Sequence, residues 1–200
     1  MFNVRAALSL VMMGLPIASF GCAAADGQGD TTESEAVESA SSMLKSFPPL
    51  PSPTLAVPEG NRLAFYFDAI GVQIYACQST ASGFGFTFQA PEASLFDRRG
   101  RLVIKHFGGP AWQSVDDGSK VIATKIADFT DDPRSIPELL LRASSHEGKG
   151  RMADVTYIQR LETVGGLAPA GGCDADHVGV VARVPYTATY FFYRAAPACK

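Results

Sequence analysis

A mainly β domain is expected from the sequence: a single antiparallel β-sandwich or barrel-like sheet with one short helix. Two observations predict it. From Leu63 onward, short runs rich in Val, Ile, Phe, Tyr and Thr are separated by Gly, Pro, Asn and Asp, residues that supply turn dihedrals and end strands. Only one segment shows helix-start chemistry, so the strands have little but each other to pack on. The composition, 46% hydrophobic and 18% charged, is that of a chain with a packed core.

The strands expected are Leu63–Ile70, Val72–Gln78, Phe84–Ala90, Leu102–Phe107, Ala111–Val115, Lys120–Phe129, Met152–Thr163, Val178–Val184 and Ala188–Arg194. Asp116-Asp117-Gly118-Ser119 is the best hairpin turn, because Asp-Gly readily takes positive φ. The helix starts at Ser135 as N-cap, with Pro137 and Glu138 in its first turn. Leu139-Leu140-Leu141-Arg142-Ala143 continue it, and it ends near Ser144. Sandwich and barrel both satisfy this pattern.

Ahead of the domain, Arg5, an apolar run from Ala6 to Ala18 and small residues around Gly21–Ala25 follow the order of a secretory signal. The run is too short to span a bilayer. Residues 1–22 are read as the signal, with two processing routes. Cleavage before Cys22, in the imperfect lipobox Ser19-Phe20-Gly21-Cys22, would lipidate that cysteine; cleavage after Ala25 would release a soluble protein. Residues 23–53, rich in Ser, Thr and Glu and ending in a polyproline-like Phe47–Pro53, form a flexible acidic tether, and 54–200 form the β-rich domain. An exported protein is expected, either an outer-membrane or cell-surface lipoprotein or a periplasmic or extracellular one. Its only tie to a membrane would be the lipid.

The net charge of −3 is concentrated in the tether, where Asp26, Asp30, Glu33, Glu35 and Glu38 face Lys45 alone. Without these residues and Arg5, the 20 acids and 17 bases reduce to equal numbers, so the domain is neutral. Nucleic-acid partners normally demand a basic surplus, and none is expected here. Arg98, Arg99 and Arg101 read as a solvated turn.

Export leaves Cys77, Cys173 and Cys199 in an oxidising compartment, where one of three must stay free or pair between chains. Cys199 is penultimate and prone to fray. Cys77–Cys173 is therefore the favoured pair, with Cys199 the alternative partner.

His106-Phe107-Gly108-Gly109-Pro110-Ala111-Trp112 carries the clearest site signal. It puts an imidazole at a strand end, a Gly108-Gly109 turn through which backbone can approach a ligand, and the single tryptophan as a flat platform. A buried Trp112 and a His106 that merely closes the turn is the competing structural reading. Asp116 and Asp117 could join His106 as an acid–base group. Cys173-Asp174-Ala175-Asp176-His177 has oxygen and imidazole donors, but lacks an EF-hand register and reads as a polar loop, so no metal site is expected. Nucleophile-elbow, Walker and Rossmann patterns do not occur, and no cofactor is expected. Tyr186, Tyr190 and Tyr193 sit in an aromatic strand read as core, while Tyr157 is a possible pocket-lining residue.

These segments, in order, resemble an exported bacterial and fungal family known as domain of unknown function 3455. The motifs are Gly71-Val72-Gln73-Ile74-Tyr75 with Cys77, Ala90-Pro91-Glu92-Ala93, His106–Trp112, Asp117-Gly118-Ser119, Ile136-Pro137, Val155–Arg160, Gly165-Gly166, Gly172-Cys173-Asp174 and Val184–Ala188. Where the family pattern has Trp and Thr, this chain has Glu138 and Ala111. The resemblance supports the Cys77–Cys173 pair and raises His106 above His146 and His177. The malate dehydrogenase activity attached to some fungal relatives is not expected, since no βαβ series or dinucleotide fingerprint is present.

The first functional expectation is a non-catalytic domain binding a small molecule or cell-surface glycan near His106, Gly108, Gly109 and Trp112. The second is a small hydrolase-like enzyme using His106 with Asp116 or Asp117, and the third an envelope protein-interaction scaffold. The sequence leaves the oligomeric state open.

Overall fold

The computed structural model describes residues 51–197, so the signal, Cys22, most of the tether and Cys199 lie outside the described residues. Eight antiparallel strands follow one another around a closed barrel: β1 (Asn61–Thr80), β2 (Gly83–Phe96), β3 (Leu102–Phe107), β4 (Ala111–Ser114), β5 (Lys120–Phe129), β6 (Glu138–Glu147), β7 (Val155–Gly165) and β8 (Val181–Ala195). β8 returns to β1 along a register from Asn61–Ala195 to Ala76–Val181, and closure leaves no free edge running the length of the sheet. Of the two expected architectures, the barrel is the one formed.

The expected helix at Ser135–Ser144 is not there. Glu138–Glu147 is a strand between β5 and β7, and the described residues contain only two 3-10 turns, Pro53–Leu55 and Ala175–His177. Leu141 points into the barrel core, whereas its neighbour Leu140 packs in a second apolar cluster with Leu55, Leu161, Phe191 and Tyr193. A strand buried on both faces reads as an unbroken apolar run, the pattern that sequence cannot tell from a short buried helix. Ser135 caps a strand end instead, accepting from Gly165 N at 3.1 Å.

The second cluster has its own cover. Leu55, in the first 3-10 turn, is fully buried, and its carbonyl accepts from Gln159 Nε2 at 2.6 Å. Tyr193 donates to Gln159 Oε1 at 2.7 Å, so the start of the domain is fastened to β7 and β8. Tyr157 packs against this cluster, away from the interior.

Three expected strand breaks are absent, and each has a local reason. Gly71 lies inside a continuous β1 because a Cβ there would meet Glu92 O at 2.3 Å and Ala93 Cβ at 2.4 Å; only glycine lets β1 and β2 approach this closely. Pro91 and Pro185 lie inside β2 and β8. β2 pairs with β3 only from Ala93 onward, and β8 pairs with β7 only from Tyr186 onward, so each proline sits where one strand edge is unpaired. A missing N–H is tolerated there. The same half-pairing of β2 leaves a gap in the wall beside the β3–β4 turn.

The Asp116–Ser119 hairpin forms where expected, with Gly118 at φ +71 and Gly118 N bonded to Ser114 O at 3.0 Å. Asp117 does more than turn the chain. Its carboxylate accepts from Ser119 N and Arg151 N, both at 2.9 Å, and from the Ser119 hydroxyl, which in turn accepts from Met152 N at 3.0 Å. This pins the β6–β7 connection beneath the barrel, where Met152 is fully buried. Asp117→Ala is expected to lower the unfolding free energy by about 1 to 2 kcal/mol through these lost bonds, measured by urea denaturation. A change indistinguishable from zero would mean the turn holds without the carboxylate.

Cys77 and Cys173 are bridged, with Cα atoms 5.4 Å apart. The bridge ties β1 to the loop before β8 and marks an oxidising, extracytoplasmic setting.

Candidate functional site

Inward-facing residues of β1, β3, β4, β7 and β8 build the site. Toward the β6–β7 connection the barrel is filled by rings: Phe65 stacks on Phe192 at 5.0 Å, and Phe192 meets Trp112 edge to face at 6.4 Å. Above this layer His106 and Trp112, paired across β3 and β4, stack with centroids 4.3 Å apart and planes 8° from parallel. Tyr190 packs against both, 5.3 Å from His106 and 5.7 Å from Trp112. These three rings border a cavity of about 530 Å³.

The cavity's walls mix two kinds of surface. Tyr75, Ile136, Leu139 and Leu141 supply apolar faces, and Gln73 and Arg160 supply polar ones. At its rim stand Phe88, Gln89 and Pro91 from the half-paired length of β2, with Gly109 and Pro110 of the β3–β4 turn opposite. Lys125 and Asp128, also at the rim, pair with each other at 2.6 Å. Two backbone segments stabilise this end. Ile136 N bonds Gly165 O at 2.9 Å, and Tyr75 donates to Gly166 O at 2.6 Å.

His106 is 3% exposed, and its Nδ1 lies 2.9 Å from the Ala111 carbonyl, which only accepts. Nδ1 therefore carries the proton. Burial drives the imidazole's pKa down to about 3, against the pull of the Ala111 bond and with help from the Arg160 charge. The ring is neutral, and Nε2 is left as an acceptor. Burial also raises the pKa values of Tyr75, Tyr186 and Tyr190, and in each case the Arg160 guanidinium opposes the rise. One cation thus acts on every titratable ring around the cavity.

Arg160 is 8% exposed and forms no ion pair within 4.0 Å among the described residues. Nη2 donates to the Pro137 carbonyl at 2.7 Å, while Nε has no partner. Gln73 Nε2 and Trp112 Nε1 are likewise buried and unpartnered. Most buried polar groups find partners, so three orphaned donors around one cavity are informative.

Of the residues singled out by sequence, His106, Gly109 and Trp112 line the cavity. Gly108 lies against Ala90, where an added Cβ would sit 3.2 Å from that side chain. Trp112 is 1% exposed and His106 bonds Ala111 across the turn, as in the competing structural reading, while both rings also border the cavity. Asp116 and Asp117 do not join His106. Asp116 bonds Arg101 at 3.4 Å and Arg151 at 3.2 Å, and Asp117 holds Ser119 and Arg151. Asp174 accepts from Asp176 N and pairs with His177 at 2.6 Å, and no metal-holding group of three or more such residues occurs among the described residues.

Sequence reasoning did not single out Gln73 and Arg160. Their signal was phase: Gln73 stands two residues before Tyr75 and Arg160 two after Ile158, so each is polar on a buried face. A polar residue in the apolar phase of a strand marks a buried polar group.

Fold and cavity together define an eight-stranded antiparallel β-barrel with an interior chamber whose mostly apolar wall carries a few polar groups. The chain belongs to the family described as protein of unknown function (DUF3455), whose model matches residues 58–194. No curated protein and no solved structure matches it.

Proposed function

We propose that this domain is a non-catalytic binding protein that holds a small molecule inside its barrel. The observation that carries this reading is the chamber of about 530 Å³ bordered by Gln73, Trp112 and Arg160, each with a buried donor lacking a partner. The volume lies within the usual range of small-molecule sites, and a mostly apolar wall with a few convergent polar groups is their usual chemistry. The hydrolase reading has less support, because His106 Nδ1 is engaged by Ala111 and the ring has no carboxylate partner. On this reading the signal and tether deliver the barrel to the cell envelope, with lipidation at Cys22 anchoring it or cleavage after Ala25 releasing it.

Trp112 is the only tryptophan in the chain, so it reports on the chamber directly. Screening metabolites and short glycans against the full chain is expected to find compounds that change Trp112 emission and raise the melting temperature together. Silence in both readouts across a broad panel would overturn the reading. Intact mass of the exported protein separates lipidated from merely cleaved forms.

A further inference from the structure

The geometry points to a monocarboxylic acid with a compact apolar body as the chamber's ligand, its carboxylate on Arg160, Trp112 Nε1 and Gln73 Nε2. This rests on the small-molecule reading above and names the class of molecule bound.

Three features select that class. Among the described residues Arg160 has no ion pair, and an unpaired buried cation is a strongly disfavoured arrangement unless an anion meets it. Glu138 feels the Arg160 charge from beyond ion-pair distance and so screens it without contacting it. The orphaned atoms are all donors: Arg160 Nε, Trp112 Nε1 and Gln73 Nε2. A carboxylate is acceptor-only, with about four lone-pair sites, and matches the guanidinium fork. An amine would bring only further donors, and a neutral alcohol would leave the Arg160 charge unmet.

Charge count then separates carboxylate from phosphate. Lys125 at the rim is paired with Asp128, leaving Arg160 as the one cation on the chamber wall without an ion pair. It balances one negative charge, whereas a phosphate monoester carries about −1.5 to −2 at neutral pH. The remaining wall of Tyr75, Ile136, Leu139 and Leu141 offers nothing to a polar ligand body and suits an apolar one. Half-exposed Phe88 at the rim extends the same surface toward the opening in β2.

The test compares acids with their isosteric amides on the oxidised full chain: benzoate, phenylacetate and hexanoate against benzamide, phenylacetamide and hexanamide, with phenyl phosphate added. Trp112 emission and titration calorimetry give the affinities. At least about tenfold preference for the acids over the amides is expected, with phenyl phosphate weaker than benzoate. Arg160→Met should erase the preference while apolar binding survives, and Arg160→Lys should retain part of it, since the charge stays and the fork is lost. Equal binding of acids and amides to the native chain would overturn the carboxylate inference and leave the small-molecule reading standing. So would a native preference that Arg160→Met leaves unchanged. If all the probes, and the wider metabolite panel, fail to bind, both readings fall. The native acid-to-amide ratio needs no variant, so the outcome is decided even if Arg160→Met does not fold.

Discussion

Removing the Cys77–Cys173 bridge is expected to lower the unfolding free energy of the domain by about 4 kcal/mol. The two residues are 96 apart in sequence, so the bridge closes a loop covering roughly half the chain. In the chain-entropy account, a loop of about 100 residues is worth roughly 4.7 kcal/mol through restriction of the unfolded state. The native state keeps part of the local structure without it, because Cys77 N still bonds Val180 O and Gly179 N still bonds Cys77 O, both at 2.9 Å. The loss should therefore appear in global stability more than in the geometry of β1. Urea unfolding of the Cys77→Ala, Cys173→Ala pair and of the reduced native chain, each compared with the oxidised native chain, measures it. A loss below about 1 kcal/mol in both would show that the bridge constrains little. Non-reducing peptide mapping is the companion test, and a Cys199-linked peptide would displace the pairing itself.

The residues that form the strands were largely readable, because β-branched and aromatic runs between turn formers survive folding in nearly the same places. What failed was punctuation. Gly71, Pro91 and Pro185 look like breaks in the sequence, yet each is harmless once its neighbours are known: Gly71 because β2 lies against it, and the prolines because one side of each is unpaired. That information is tertiary and has no local trace. Leu139-Leu140-Leu141 misled for the related reason that Leu55 arrives from far along the chain to cover the outer face of β6. Barrel closure also decides the site. His106 and Trp112 could be nominated by residue type alone, but whether a strand residue faces in or out depends on its phase relative to the closed sheet. Arg160 and Gln73 acquire meaning only when that phase is known, and Asp116 and Asp117 lose theirs as acid–base candidates because their turn engages them with Arg101, Arg151 and Ser119.

Acidification should destabilise the domain through His106 at pH values above those at which the lowered aspartates begin to lose their contribution. Its pKa falls from an ordinary 6.5 to about 3 in the folded state. The unfolded chain therefore binds a proton that the folded chain refuses between those values, and stability must fall as pH falls through that window. It is complete above about pH 6.5. At pH 4.5 the imidazole alone should have removed roughly 3 kcal/mol, at about 1.4 kcal/mol per unit. Burial is the first cause and Arg160 adds to it, while the Ala111 carbonyl works the other way. Asp97, Asp117, Asp132 and Asp174 also have lowered pKa values, but from an ordinary 3.8, so their losses begin further down. Glu138, raised by burial, takes its proton more readily when folded and trims the loss near the bottom of the window. Urea unfolding at steps from pH 7 to 4.5 should thus show a steady decline in the native chain. His106→Gln, whose amide can still donate to Ala111, should be markedly flatter. Parallel declines in the two proteins would place the acid sensitivity elsewhere, and an imidazole resonance of His106 titrating near pH 6.5 in the folded domain would contradict its burial as the cause.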